Sequence, residues 1–210
     1  MSRGRAPTYD TQREQILAQA AALFAQRGYP GTSMNEVAAA CGVSKATLYH
    51  YVRDKHALLV LIAEGHVARL EAVAHAVMQR NLAPEPRLRE LILRFVEEYA
   101  DAKNAHRVLT EDVRFLGPED QARVLAGERR VVAAFAAAVA AARPGTAAAA
   151  MDKPLAMLLF GMINWMFTWM RPGGELTHAD MAPVVCDLFF GGLNAVQLAP
   201  LRKRAPAVAA

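Results

Sequence analysis

Cysteine, serine and catalytic spacing are all scarce in this chain of 210 residues. Its two cysteines, Cys41 and Cys186, lie far apart and form no CxxC. That excludes a disulfide scaffold and fits a reducing compartment. Each falls on an apolar helix face and reads as a small buried thiol, with a redox sensor as the alternative. Serine occurs only at positions 2, 33 and 44, and no nucleophile elbow is present. The histidines His50, His56, His66, His75, His106 and His178 make no HExxH and no i,i+4 pair, and no phosphate-cradling glycine loop occurs. An enzyme, a resident cofactor and a metal site are therefore not expected. Strand-period segments and Asn-Gly hairpin signals are lacking as well. No secretory signal opens the chain, so a cytoplasmic location is expected.

What the chain has is alanine and aliphatic side chains at helical spacing. Hydrophobic residues make up 54%, enough for a sizeable core, and the pattern predicts an all-α protein. The net charge is +4, unevenly spread. Residues 1–55 hold seven Lys/Arg against four Asp/Glu, and the remainder seventeen against sixteen. A basic excess in one segment is what phosphate binding requires.

That segment contains the most informative stretch, Thr32 to Lys55. Thr32 or Ser33 can cap a short helix, Val37, Ala38 and Cys41 share its apolar face, and Gly42 sits where a left-handed residue ends it. Val43 plugs the corner. Ser44 caps a second short helix with Leu48 and Val52 inward. Its outward residues are Lys45, Ala46, Thr47, Tyr49, His50 and Tyr51. A helix of about two turns is not stable alone, so its exposed face needs a purpose. Small and hydrogen-bonding side chains at the start of such a helix suit base edges in a major groove.

This spacing, T-S-M-x-x-V-A-x-x-x-G-V-S-K-x-T-L-Y-x-Y-V-x-D-K-x-x-L, resembles the helix-turn-helix of the tetracycline-repressor (TetR) family. Ala20, Phe24, Gly28 and Leu58 extend the match. The resemblance implies DNA contacts by Thr32, Ser33, Ser44, Lys45, Tyr49, His50, Tyr51 and Lys55, and the outward face of the second helix adds Ala46 and Thr47 as candidates. Thr32 and the helix start at Ser33 would meet phosphate, as would Tyr49 and Lys55 on the flanks. Lys45, Thr47 and His50 are candidates for base edges or adjacent phosphate, and Ala46 for a thymine methyl. Tyr51 has an equal claim to packing in the small core. The helix-turn-helix proper spans about 33–52, inside an N-terminal three-helix domain of residues 1–55.

The flanking chain reads in order. A basic arm with Arg3, Arg5 and Pro7 precedes a helix expected from Thr11 to Arg27, with Thr11 and Glu14 as a capping box. Asp54 caps a long helix to about Gln79, joined to the reading helix by a few residues, so that tilting it moves the reading head. A loop at 81–86 leads to a helix over 87–104, a short one near 106–115 and a long one from Pro118 to Ala142. Asp152 is expected to cap a very apolar helix reaching Met170. Asn164 and Thr168 interrupt that run, and it is short for a membrane span, so burial on several sides is the reading. Arg171 to Gly174 make a turn. Thr177 and Asp180 cap a last helix to about Leu198, before a tail holding Arg202, Lys203 and Arg204.

Residues 56–210 are expected to form a helical domain for effector binding and dimerisation. The resemblance implies a homodimer through the last two long helices, a near-palindromic double-stranded operator, and no membrane. The stretch Gly161 to Trp165, with Trp169, Arg171-Pro172 and Leu176-Thr177, loosely resembles the acyl-CoA-responsive branch of the family. It makes Phe95, Tyr99, Met162, Asn164, Trp165, Thr168 and Trp169 candidates for an effector site. Met162, Met166 and Met170 serve either a pocket or the core. Arg94, Arg107, Arg114, Arg129 and Arg130 serve either CoA phosphates or solvated helix faces. The functional expectation is a repressor released from DNA by a small apolar or acyl-CoA-type effector. The alternatives are a DNA-binding regulator gated by a protein partner, and a multidrug-type sensor.

Overall fold

The computed structural model describes residues 8–170 and 174–197, and among these it holds helices and no strand. The basic arm, residues 171–173 of the expected turn, and the basic tail lie outside the described residues. In order, the helices are α1 (Thr8–Arg27), α2 (Met34–Ala40), α3 (Lys45–Tyr51), α4 (Lys55–Met78), α5 (Pro84–Asp101) and α6 (Lys103–Glu111). A 3-10 turn, Val113–Phe115, precedes α7 (Pro118–Ala142), and then come α8 (Gly145–Ala148), α9 (Asp152–Asn164), α10 (Met166–Trp169) and α11 (His178–Ala195).

Contacts divide the chain into two units. One takes in the chain up to Ala72 together with Glu98–Arg129; the other takes in Val73–Glu97 and the chain from Arg130. Helices α4, α5 and α7 therefore contribute to both. Residue 55, a division expected by role, is not a division of packing, because α1 to α3 share a core with later helices. Ile16, Phe24, Val37, Leu48, Leu58, Leu59, Val108, Leu109 and Val124 all belong to that core. The reading head is thus braced by α1, as expected, and also by α6 and the start of α7.

The second unit is centred on rings. Phe95 packs edge-on to Phe135 at 4.7 Å, and Phe135 meets Phe160 at 4.7 Å. The Arg89 guanidinium lies 5.0 Å from the Phe190 ring and pairs with Asp187 at 3.1 Å. Arg143 donates to the carbonyls of Leu193 and Val196. It thereby satisfies acceptors that the end of α11 would otherwise leave open.

Several boundaries differ from the sequence reading. Helix α1 already runs at Thr8, so Thr11 lies inside it rather than capping it. Pro84, which needs no partner for a missing N–H, sits in the first turn of α5 and shortens the expected loop. Asp152 is the first helical residue of α9, not its cap; Met151 takes that position without a side-chain bond. The apolar helix expected to reach Met170 is broken at Trp165. The carbonyl there accepts from both the Thr168 N–H at 3.1 Å and the Thr168 hydroxyl at 2.7 Å. Local threonine bonds of this kind compete with the regular ladder. At the last helix, Thr177 and Asp180 do form the reciprocal capping box.

Candidate nucleic-acid interface

The reading head is built from local bonds. Ser33 caps α2: its Oγ accepts from the Glu36 N–H at 3.3 Å, and its own N–H donates to Glu36 Oε2 at 2.7 Å. Arg27 adds a 2.6 Å ion pair to Glu36. Bonds from Ser33, then the Arg27 charge, hold the Glu36 carboxyl below its ordinary range. Gly42 then turns the chain with φ +65°, a left-handed conformation that a side chain would strain. Ser44 caps α3 by accepting from the Thr47 N–H at 3.0 Å. Leu48 is fully buried and Val52 nearly so, which fixes the roll of α3 about its axis.

That roll leaves Lys45, Ala46, Tyr49 and His50 exposed on one face, with Ser44 at its start. Tyr49 is 44% exposed, high for a ring in a domain that has a core available. Tyr51 instead stacks on Tyr9 at 4.8 Å, so it serves packing at the edge of the head. Thr47 is half-buried, with its hydroxyl 2.8 Å from Ser44 Oγ. Ser33 remains exposed beside its capping partner.

Two expected phosphate ligands face inward. Thr32 is only 2% exposed, and its hydroxyl donates to the Gly28 carbonyl at 3.1 Å and lies 3.4 Å from that of Leu23. Lys55 Nζ donates to the carbonyls of Tyr29 and Thr32, both at 3.0 Å, and lies 4.4 Å from the Tyr29 ring centroid. Both side chains are spent on holding the α1–α2 corner, where helix-end carbonyls need donors.

The expected effector residues fall in both units. Phe95 is buried in the ring cluster of the second unit. Tyr99 belongs to the first unit, stacked on His106 at 3.8 Å. Trp165 and Trp169 are 66% and 48% exposed, and Thr168 is exposed with them. Met162 is half-buried. Asn164 is half-buried too, but its Oδ1 is buried with no hydrogen-bond partner. Of the methionine stripe, Met166 belongs to the core. Among the arginines, Arg94 pairs with Glu90 and Glu97, and Arg107 with Glu111, as solvated faces do.

Sequence spacing missed a buried polar cluster. His66 of α4 is fully buried, and its Nε2 lies 3.3 Å from Nδ1 of His106 in α6. Burial, then the neighbouring His106 and Arg69, lowers His66 to about 3; burial lowers His106 to about 4. Both rings are therefore neutral near pH 7. Arg69, which can only donate, lies 3.5 Å from His66 Nδ1. The Glu98 carboxylate lies 4.0 Å from the same Nδ1, so the buried pair is bordered by a cation and an anion. The available signal was a histidine on an apolar face: His66 falls four residues after Ile62 and four before Leu70.

Among the described residues no group suited to a metal ion occurs, and no helix is long and apolar enough to cross a membrane. Two short capped helices at a glycine corner, the second with its polar face outward, define a helix-turn-helix DNA-binding protein. Residues 16–62 match the family described as bacterial regulatory proteins, tetR family, and residues 81–193 match the tetracyclin repressor-like C-terminal domain. The chain belongs to the TetR family of transcriptional regulators. It is similar to the transcriptional repressor KstR2 of Rhodococcus jostii, with 24% identity over 87% of this chain and 91% of that one. A TetR-family regulator from Bordetella parapertussis superimposes with a TM-score of 0.80 at 32% identity, covering 88% of this chain and 97% of that one. AibR, in complex with isovaleryl coenzyme A and operator DNA, superimposes with a TM-score of 0.73 at 27% identity, covering 84% and 97%.

Proposed function

We propose that the chain is a homodimeric repressor, held on a near-palindromic operator and released by a small apolar or acyl-CoA-type effector. It works in the cytoplasm, beside its DNA. Residues 1–55 read DNA, and residues 56–210 bind the effector and pair the subunits. The observation that carries the reading is the outward face of α3, where Lys45, Ala46, Tyr49 and His50 are exposed on a helix pinned by Leu48. Lys45 and His50 reach base edges or adjacent phosphate, Ala46 lies against a thymine methyl, and Tyr49 donates to flanking phosphate. Ser33, Ser44 and Thr47 set the helix starts beside the backbone; Thr32, Tyr51 and Lys55 hold the head in shape.

Likeness to KstR2 supports repression, and likeness to AibR supports an acyl-CoA-type effector. The unpartnered Asn164 Oδ1 is an acceptor that a ligand donor can satisfy. Met157 and Leu158 on α9, Trp165 just past its end, and Val184 and Leu188 on α11 are large, apolar and exposed, as a pairing face requires. The effector must bind the DNA-free state more tightly than the DNA-bound one, or it shifts nothing. A second reading, a regulator gated by a protein partner, is favoured by the close ring packing around Phe95 and Tyr99, which fills space an effector would need.

One experiment separates these. Purified protein enriches a duplex from a randomised pool, and native mass spectrometry records what small molecule it retains. Release of the duplex by the retained molecule, or by an acyl-CoA thioester, supports the effector. Duplex binding indifferent to every thioester in the panel, with nothing retained, supports the partner-gated reading. A protein that enriches no duplex ends both.

A further inference from the structure

Helix α1 ends at Gly28, whose φ is +76° and whose N–H donates to the Phe24 carbonyl at 2.7 Å. The next N–H in such an ending commonly folds back onto the helix. Here the Tyr29 N–H points away, toward Asp112 Oδ1 at 3.4 Å. Asp112 is 4% exposed and sits between α6 and the 3-10 turn. Its N–H closes α6 on the Val108 carbonyl at 2.9 Å, and its carbonyl accepts from Phe115 at 2.9 Å. The backbone that carries the carboxyl is therefore fixed to α6.

The same tyrosine is held elsewhere. Its ring stacks on Phe115 at 5.5 Å and meets Phe24 edge-on at 5.3 Å. Its carbonyl takes the Lys55 bond from α4. Burial raises the Asp112 carboxyl above its ordinary range, with the Tyr29 N–H opposing. A carboxyl is poorly placed both in a core and beside the negative end of a helix. An apolar residue would pack there at less cost, so its use points to the bond it makes.

We infer that Asp112 is a positioning residue for DNA binding: through Tyr29 it ties the end of α6 to the corner that sets α2 and α3, a second hold on the reading head beside α4. A displacement of α6 then reaches the corner without passing along α4. The inference rests on DNA binding alone and not on any effector.

The test uses the full chain, a duplex enriched by the wild type from a randomised pool, and amide exchange. Asp112→Asn keeps an acceptor and is expected to hold near-wild-type affinity. Asp112→Leu removes it and is expected to weaken binding about tenfold, the scale of one lost hydrogen bond. Exchange is expected to rise in Met34–Ala40 while it stays unchanged in the second half of α7. If the leucine variant does not fold, Asp112→Ala withdraws the acceptor at smaller volume, with the same local rise in exchange expected. Wild-type affinity and exchange in the leucine or alanine variant overturn the inference. So does a uniform rise in exchange through every helix, the mark of general destabilisation. If the wild type enriches no duplex, the operator reading has failed, and local exchange decides Asp112 by itself.

Discussion

Lys55 Nζ lies 3.0 Å from the Tyr29 carbonyl, which ties the first residue of α4 to the corner that precedes α2. The Lys55 bonds add to the short joint at Arg53 and Asp54 in connecting the start of the long helix with the reading head. The joint itself is firm: Asp54 Oδ1 accepts from the Ala57 N–H at 2.7 Å, which lowers the Asp54 carboxyl below its ordinary range.

Lys55→Ala is expected to act on stability first. Hydrogen bonds from a charged donor contribute about 1.5–3 kcal/mol. Denaturant unfolding should show a loss of that order. The salt dependence of DNA binding should keep its slope. A slope reduced by about one charge would instead return Lys55 to the phosphate backbone.

On α3 the expectation is reversed. Lys45→Ala and Tyr49→Ala should leave the unfolding midpoint unchanged, because both side chains face solvent. Tyr49→Ala should weaken binding to enriched and random duplexes alike. His50→Ala should cost about 1–3 kcal/mol on the enriched duplex and little on random DNA. Equal losses on both duplexes for His50→Ala would assign that ring to phosphate.

Acid should destabilise the protein through His66 and His106. Their folded values, about 3 and about 4, lie below the ordinary 6.5, so the unfolded chain binds more protons. Stability is then fully present above about pH 6.5 and falls as the pH drops toward the folded values, on the order of 1 kcal/mol per pH unit for each ring. Urea midpoints between pH 5 and 8 check this. His106→Phe should flatten the profile, since it removes one titrating ring and the polar partner of the other.

The exposed apolar faces of α9 and α11 should hold the dimer together. Leu158→Glu and Leu188→Glu replace side chains that are both 65% exposed in the single chain, so neither should harm the fold. Each should shift sedimentation from dimer toward monomer, and DNA affinity should fall with it. Unchanged sedimentation in both variants would move the pairing surface elsewhere.

Features set by neighbours in the chain were legible beforehand. Ser33 with Glu36, Ser44 with Thr47, Asp54 with Ala57 and Thr177 with Asp180 each bond across three residues. Leu48 and Val52 followed from helical period alone. What escaped was long-range. Lys55 reaches back 26 residues to Tyr29, His66 meets His106 40 residues on, and Asp112 meets Tyr29 across 83. No spacing rule covers such separations. The resemblance implies a phosphate contact for Lys55, whereas the fold places the carbonyls of Tyr29, Pro30 and Thr32 beside its Nζ. Trp165 and Trp169 are expected within one apolar helix; that helix breaks at Trp165, and both rings are exposed.

The chain carries its own optical reporter. Trp165 and Trp169 are its only tryptophans, and both lie in water in the single chain. Indole emission therefore starts red-shifted and open to a dissolved quencher. Dilution through the association range would be followed by colour alone, without a dye and without touching any residue of the DNA-facing helix.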